Sequence, residues 1–104
     1  MGSRKKPSWD PHLVRFVRAA VKDHEEATEI ARANPEVLNL RTFEGETALH
    51  HLAIDGYLES VKLLIELGAD VQVVNKRGES VLAGVQRMGY EKVAALLIEA
   101  GAKP

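Results

Sequence analysis

The sequence predicts an all-α solenoid of three stacked helix–turn–helix units, with hairpin-like turns projecting between them. Segments recur at an offset of 33 positions: Gly45-Glu46-Thr47-Ala48-Leu49 returns as Gly78-Glu79-Ser80-Val81-Leu82, and Leu63-Leu64-Ile65-Glu66 returns as Leu96-Leu97-Ile98-Glu99. Apolar residues inside each repeat follow the 3.6-residue period of amphipathic helices. One helix pair cannot bury its apolar face alone, so the repeats are expected to stack around one continuous core.

The first repeat is degenerate, but its helix signals are clear. Asp10 followed by Pro11 is an N-cap and first-turn pair that starts a helix, and the apolar residues that follow share one face. A second helix is predicted from Glu25 to Ala33, where Asn34-Pro35 ends it. The inward-facing residues of the two helices are expected to be Leu13, Phe16, Val17, Ala20, Val21, Ala27 and Ile30.

The second and third repeats carry stronger signals. Thr47 caps a predicted helix over 48–54, Gly56 ends it, and a second helix follows from Glu59 to Leu67. The third pair is predicted over 81–88 and 92–100, closed by Gly89 and Gly101. The segments 37–45 and 71–78 end in glycine and lie between pairs, so they are expected to be the projecting turns.

Length and composition favour one small domain. The 104 residues are 45% hydrophobic and carry a formal net charge of -1, so no overall charge favours nucleic acid. The chain has no cysteine, which excludes disulfides, thiolate catalysis and cysteine-ligated metals. We expect residues 1–8 to form a flexible N-terminal tail or expression remnant, and residues 9–104 to form one domain with repeats at about 10–44, 45–77 and 78–104.

Two segments carry a family resemblance. Gly45-Glu46-Thr47-Ala48-Leu49-His50-His51-Leu52-Ala53 resembles the ankyrin signature G-x-T-P-L-H-x-A-A, and residues 61–71 resemble its continuation V-x-x-L-L-x-x-G-A-D-V. The clear resemblance covers residues 39–103. It implies that His50 bonds backbone groups and ties repeats together. It also gives structural roles to Thr47 and to the turn and cap glycines Gly56, Gly68, Gly78, Gly89 and Gly101.

The resemblance implies a non-catalytic module that binds a partner protein in a concave groove of turn tips and first helices. The expected partner-contacting residues are Arg41, Phe43, Glu44, Glu46, His51, Ile54, Asp55, Val74, Lys76, Arg77, Glu79, Arg87 and Met88. Arg18 and Lys22 occupy matching places in the first repeat. Phe43 is the most informative, because it occupies a turn-tip place where a polar residue is expected, and a buried aromatic anchor is a common binding hot spot. No cofactor, small-molecule substrate, membrane or nucleic acid is implied, and a cytoplasmic monomer is expected, with the nucleus as the alternative location.

Other functions receive less support. His50 and His51 are adjacent and point about 100° apart on a helix, so they cannot share a metal ion. The chain has no G-x-S-x-G elbow and no phosphate-binding glycine loop. The main alternative is a structural or regulatory cap, or a fragment of a larger array, without its own ligand. A nucleic-acid binder would need Arg4, Lys5 and Lys6 together with the basic groove residues.

Two sequence features lie at the ends of the predicted stack. Trp9 precedes the first helix and is expected to fix the start of the chain onto the first repeat, with partner contact as the alternative. In the third repeat Ala83 stands at the histidine place, and Gln86 and Arg87 occupy places that are small or apolar in an inner repeat. These polar residues predict a C-terminal cap and a stack that is complete at three repeats.

Overall fold

A computed structural model describes residues 9–103 of the chain and confirms the all-α solenoid. Three helix pairs follow one another, and the first helix of the middle pair packs between the first helices of its neighbours. The first pair is α1 (Pro11–Lys22) and α2 (His24–Ala33), the second is α3 (Ala48–Ile54) and α4 (Leu58–Glu66), and the third is α5 (Val81–Met88) and α6 (Glu91–Glu99).

The first pair differs from the prediction at two points. The Asp10 carboxylate accepts a hydrogen bond from the His12 N–H at 2.8 Å, as expected for the N-cap of α1. However, α2 begins at His24, one residue earlier than predicted, because the Asp23 carboxylate caps it by accepting from the Glu26 N–H. Asn34-Pro35 ends α2, but the chain then forms a 3₁₀-helix, Pro35–Asn39, where we expected only a turn. Proline suits the first turn of such a helix because no N–H partner is needed there.

In the later pairs, glycine lets the chain turn from the first helix to the second. Gly56 and Gly89 have φ angles of +80° and +79°, a region that residues with a Cβ rarely adopt. The second helices then begin at Leu58 and Glu91, one residue before the predicted starts, and end at Glu66 and Glu99. The four other glycines with positive φ are Gly45, Gly68, Gly78 and Gly101.

The core is continuous through all three repeats. Phe16, in the degenerate first repeat, is fully buried, as is Leu82 in the third. Between the repeats, the buried Ser60 hydroxyl on α4 donates to the backbone oxygen of Ala20 at 2.7 Å. The largest fully buried side chains are Phe16, Leu13, Leu49, Leu52, Leu64, Leu82, Leu97, Val37, Val61, Val81 and Val85.

Two short turns project from the stack at the boundaries between repeats. We call residues 41–46 the first tip and residues 74–79 the second tip. In the first tip the Thr42 N–H donates to the backbone oxygen of Glu46, and in the second tip the Asn75 N–H donates to the backbone oxygen of Glu79. An isolated antiparallel bridge joins Val74 and Ser80, and residues 9–103 contain no longer strand. None of the helices in that range is long and apolar enough to cross a membrane.

Candidate functional site

The two tips are joined to each other by hydrogen bonds. The Arg41 guanidinium donates to the backbone oxygen of Gly45 at 2.9 Å and to that of Val74 at 3.0 Å. The backbone N–H of Lys76 donates to the backbone oxygen of Glu44 at 2.9 Å. The guanidinium of Arg41, which we predicted to contact a partner, therefore holds the tips in a fixed relative position.

Two buried polar residues shape the tips, and neither was among the predicted site residues. The Asn75 carboxamide oxygen accepts from the N–H groups of Arg77 and Glu79 at 2.9 and 3.0 Å, while its nitrogen donates to Glu46 at 3.0 Å. Thr42 lies 33 positions earlier, and its hydroxyl accepts from the Glu46 N–H. Both side chains are at least 93% buried. Their signal was a short polar side chain, able to accept backbone hydrogen bonds, three residues before a tip glycine.

Phe43 is the most exposed large apolar residue of the tips. Its side chain is 64% exposed, and the Lys76 ammonium lies 4.6 Å from its ring centroid. Val74, on the neighbouring tip, is 45% exposed. The structure thus places an aromatic residue and an aliphatic residue of adjacent repeats on one pair of linked tips, with a cation over the aromatic ring.

The charged residues of the second tip and α5 pair with one another. Arg87 donates two hydrogen bonds to the Glu79 carboxylate, at 3.0 and 3.2 Å, and Arg77 lies 3.5 Å from Glu46 and 3.9 Å from Glu79. The hydrogen bonds from Arg87 lower the pKa of Glu79. Because Arg77 and Arg87 are matched by Glu46 and Glu79, this part of the surface carries little unbalanced charge.

His51 lies between the tip and the start of the described chain. Its Nε2 is 3.2 Å from a Glu46 carboxylate oxygen, and its ring centroid is 4.2 Å from that of Trp9, at an interplanar angle of 55°. Burial lowers the pKa of His51, although Glu46, Asp55 and Glu44 act in the opposite direction. Trp9, which we expected to fix the start of the chain onto the first repeat, borders Pro11 and Val14 of that repeat and also packs against the second repeat.

His50 has a different environment from its neighbour. Its Nδ1 accepts a hydrogen bond from the Thr47 N–H at 3.3 Å at the start of α3. Burial lowers the pKa of His50, while the backbone carbonyl of Glu79, in the next repeat, raises it. No well-aligned hydrogen bond reaches Nε2, which is buried. These contacts lie within α3 and towards the third repeat, as expected for a residue that ties repeats together.

The remaining predicted partner residues lie away from the tips. Ile54 is half-buried, and its Cδ1 would be only 2.8 Å from a Cβ placed on Gly84, so it packs against α5. Asp55 and Met88 stand at the ends of α3 and α5 that are distant from the tips. Since α5 is eight residues long, Met88 lies on the order of 10 Å from the start of that helix. Within residues 9–103 there is no cluster of metal-ligating side chains.

This architecture defines a class of protein, and comparison with known families agrees with it. The family described as ankyrin repeats, in three copies, matches residues 16–104, so the chain belongs to the ankyrin-repeat family. Ankyrin repeats are a type of protein–protein interaction module, and the family is generally non-catalytic.

Two individual relatives are similar to the chain over most of its length. It is 44% identical over 94 residues to the Notch-regulated ankyrin repeat-containing protein of Xenopus tropicalis, covering 85% of this chain and 82% of that protein. It is 38% identical over 88 residues to the NAD-capped RNA hydrolase NUDT12 of Macaca fascicularis, covering 83% of this chain but only 19% of that protein.

A solved structure shares the fold. A chain in the structure titled "Bd0816 Predatory Endopeptidase from Bdellovibrio bacteriovorus in complex with immunity protein Bd3460" superposes with a TM-score of 0.72 at 31% identity. The match covers 81% of this chain and 44% of that one, so this chain spans less than half of its length.

Proposed function

We propose that the chain binds a partner protein on a concave surface built from the two tips and the first helices α3 and α5. The single observation that carries the proposal is Phe43, which is 64% exposed on a tip that hydrogen bonds hold to its neighbour. An apolar side chain on a preformed support loses little entropy on binding, and aromatic residues dominate interface energetics. A complex of two proteins in a structure that contains the same fold is consistent with this role.

The proposed contacts fall into two groups. Phe43, Val74 and the aliphatic part of Lys76 would form the apolar centre, because they are exposed and adjacent on the linked tips. Around them, the charged residues would form a polar rim that sets orientation more than affinity. That rim comprises Glu44, Glu46, Arg77, Glu79 and Arg87. The cytoplasmic location expected from the sequence stays a prediction.

The test compares Phe43→Glu with Tyr57→Glu, a matched control. Tyr57 is an aromatic residue, 45% exposed, that follows α3 at the end of that helix distant from the tips. A partner captured by the wild type is purified, and its dissociation constant is measured with each variant. Phe43→Glu should weaken binding at least about tenfold, the equivalent of about 1.4 kcal/mol, while Tyr57→Glu should leave the dissociation constant unchanged. Equal weakening by both variants would contradict the proposal.

One observation favours the second candidate, a structural unit of a larger array. The outward face of the third pair exposes Ile98, at 54%, beside Tyr90, Ala94 and Ala95. An exposed apolar face of this kind is where a further repeat could pack. The exposed Gln86 on α5 makes the face partly polar, as expected for a cap. Self-association that Ile98→Glu abolishes and Phe43→Glu preserves would favour this candidate.

A further inference from the structure

A second surface lies on the first repeat, apart from the tips. It is a shallow groove of about 640 Å³ along α1, lined by Trp9, Pro11, Val14, Arg15, Arg18, Ala19, Lys22 and Glu26. Its floor is apolar, and its rim carries three cations and one carboxylate. We propose that this groove binds an acidic peptide segment of another protein, in which carboxylates alternate with apolar residues.

The charge of the rim supports an acidic occupant. Arg15 donates to the Glu26 carboxylate at 3.3 Å, so this pair is neutral overall. Arg18 and Lys22 are exposed, and within residues 9–103 neither forms an ion pair. Two positive charges therefore remain beside the apolar floor. They differ from Arg77 and Arg87, which Glu46 and Glu79 neutralise.

The apolar wall of the groove is already positioned. Trp9 packs against the His51 ring at a centroid distance of 4.2 Å, and His51 lies 3.2 Å from Glu46. An indole that is supported from behind presents a fixed apolar face, so a ligand does not have to order it. Indole rings bury a large area and make strong contacts with apolar side chains.

The dimensions of the groove suit an extended peptide. The rim residues Arg15, Arg18 and Lys22 lie at helical spacing along α1, which has 12 residues and is therefore about 18 Å long. An extended strand of five or six residues covers about the same length. The carboxylates of such a segment can face the rim while the alternate side chains contact Trp9 and Val14.

Charge also separates this occupant from other candidates. The segment before Trp9 contains Arg4, Lys5 and Lys6, which like-charge repulsion disfavours beside Arg18 and Lys22. A nucleic acid would meet the cations, but the floor of Pro11, Val14 and Ala19 offers it no hydrogen-bonding groups. A second copy of the chain could present Glu25 and Glu29 of α2, and the experiment must distinguish it.

The experiment uses Trp9, the only tryptophan in the chain, as its reporter. The full chain is titrated with an eight-residue peptide in which aspartate or glutamate alternates with leucine or phenylalanine, and the indole fluorescence is followed. We expect a saturable change in fluorescence, with an affinity that weakens as the salt concentration is raised. Arg18→Glu combined with Lys22→Glu should raise the dissociation constant at least about tenfold. The matched control, Lys62→Glu with Lys92→Glu on α4 and α6, should leave it unchanged.

Several outcomes would overturn the inference. The first is the absence of a saturable change in fluorescence. The second is an Arg18→Glu, Lys22→Glu variant, with its fold verified by circular dichroism, that binds the peptide as tightly as the wild type does. The third is an oligonucleotide of equal charge that binds more tightly than the peptide. Dimerisation in sedimentation equilibrium that this variant abolishes would assign the groove to a second copy instead. Phe43→Glu should retain peptide binding, so failure of the tip proposal and failure of this one are distinguishable.

Discussion

The Arg41 guanidinium spans the two tips, donating to the backbone oxygen of Val74 at 3.0 Å and to that of Gly45 at 2.9 Å. Arg41 and Val74 are 33 positions apart, so one side chain connects equivalent loops of consecutive repeats. A planar guanidinium can satisfy two acceptors at once, which a lysine ammonium does less well. Arg41 therefore helps to fix the relative position of the tips, together with the Lys76 N–H bond to the backbone oxygen of Glu44.

Replacing Arg41 with alanine should loosen the tips more than it destabilises the core. We expect the free energy of unfolding to fall by about 1 kcal/mol, the typical contribution of a hydrogen bond. Amide exchange of Lys76, whose N–H donates to Glu44, should accelerate. Urea unfolding and hydrogen-exchange mass spectrometry measure the two effects. Lys62→Ala, at an exposed site on α4, is the control and should change neither.

Gly84 and Ile54 should be energetically coupled. A Cβ on Gly84 would lie 2.8 Å from Ile54 Cδ1, so Gly84→Ala alone must displace that methyl group. Alanine otherwise favours a helix over glycine by about 1 kcal/mol. In an Ile54→Val background, which lacks Cδ1, Gly84→Ala should be more favourable by about 1 kcal/mol than in the wild type. A double-mutant cycle by urea unfolding tests this, and additive effects would show that the contact carries no strain.

Stability should fall as the pH is lowered from 7 to 5.5. Burial lowers the pKa values of His50 and His51 in the folded chain, so the unfolded chain binds protons first as pH drops through 6.5. The slope of the free energy of unfolding against pH is at most about 1.4 kcal/mol per pH unit for each histidine. His51→Gln should reduce the slope, and His12→Gln, at an exposed site, serves as the comparison. A wild-type slope of zero in urea unfolding would be the contrary result.

Ser60 should stabilise the junction of the first two repeats. Its hydroxyl donates at 2.7 Å to the Ala20 oxygen, one of the last four carbonyls of α1, which lack partners within that helix. Ser60→Ala leaves this buried acceptor unsatisfied and should reduce the free energy of unfolding by about 1–3 kcal/mol. Ser60→Cys keeps a weak S–H donor at this position and should cost less. Thermal unfolding of both variants measures the difference, and equal losses would argue that packing, not the hydrogen bond, matters.

Much of the site could not be predicted from the repeat pattern. The pattern placed Phe43, Val74 and Lys76 on the tips, and there they are exposed. It gave no indication that the guanidinium of Arg41 is used within the protein or that Arg77 and Arg87 are neutralised. Those facts depend on where long side chains end, and such side chains can reach several partners. The pattern also missed Asn75, because its role depends on three hydrogen bonds that only the structure shows.

The sequence by itself determined the helices, the period and the stacking, because helix caps, glycine turns and apolar periodicity are local and repeat every 33 residues. It did not determine the 3₁₀-helix that begins at Pro35 or the packing of Trp9 against His51. Among residues 9–103, tertiary structure decided which charges remain unpaired: Arg18 and Lys22 lie beside an apolar groove, while Glu46 and Glu79 neutralise Arg77 and Arg87. The physical reason is that ion pairs and aromatic contacts depend on where the ends of side chains meet in three dimensions, and no periodic pattern specifies those distances.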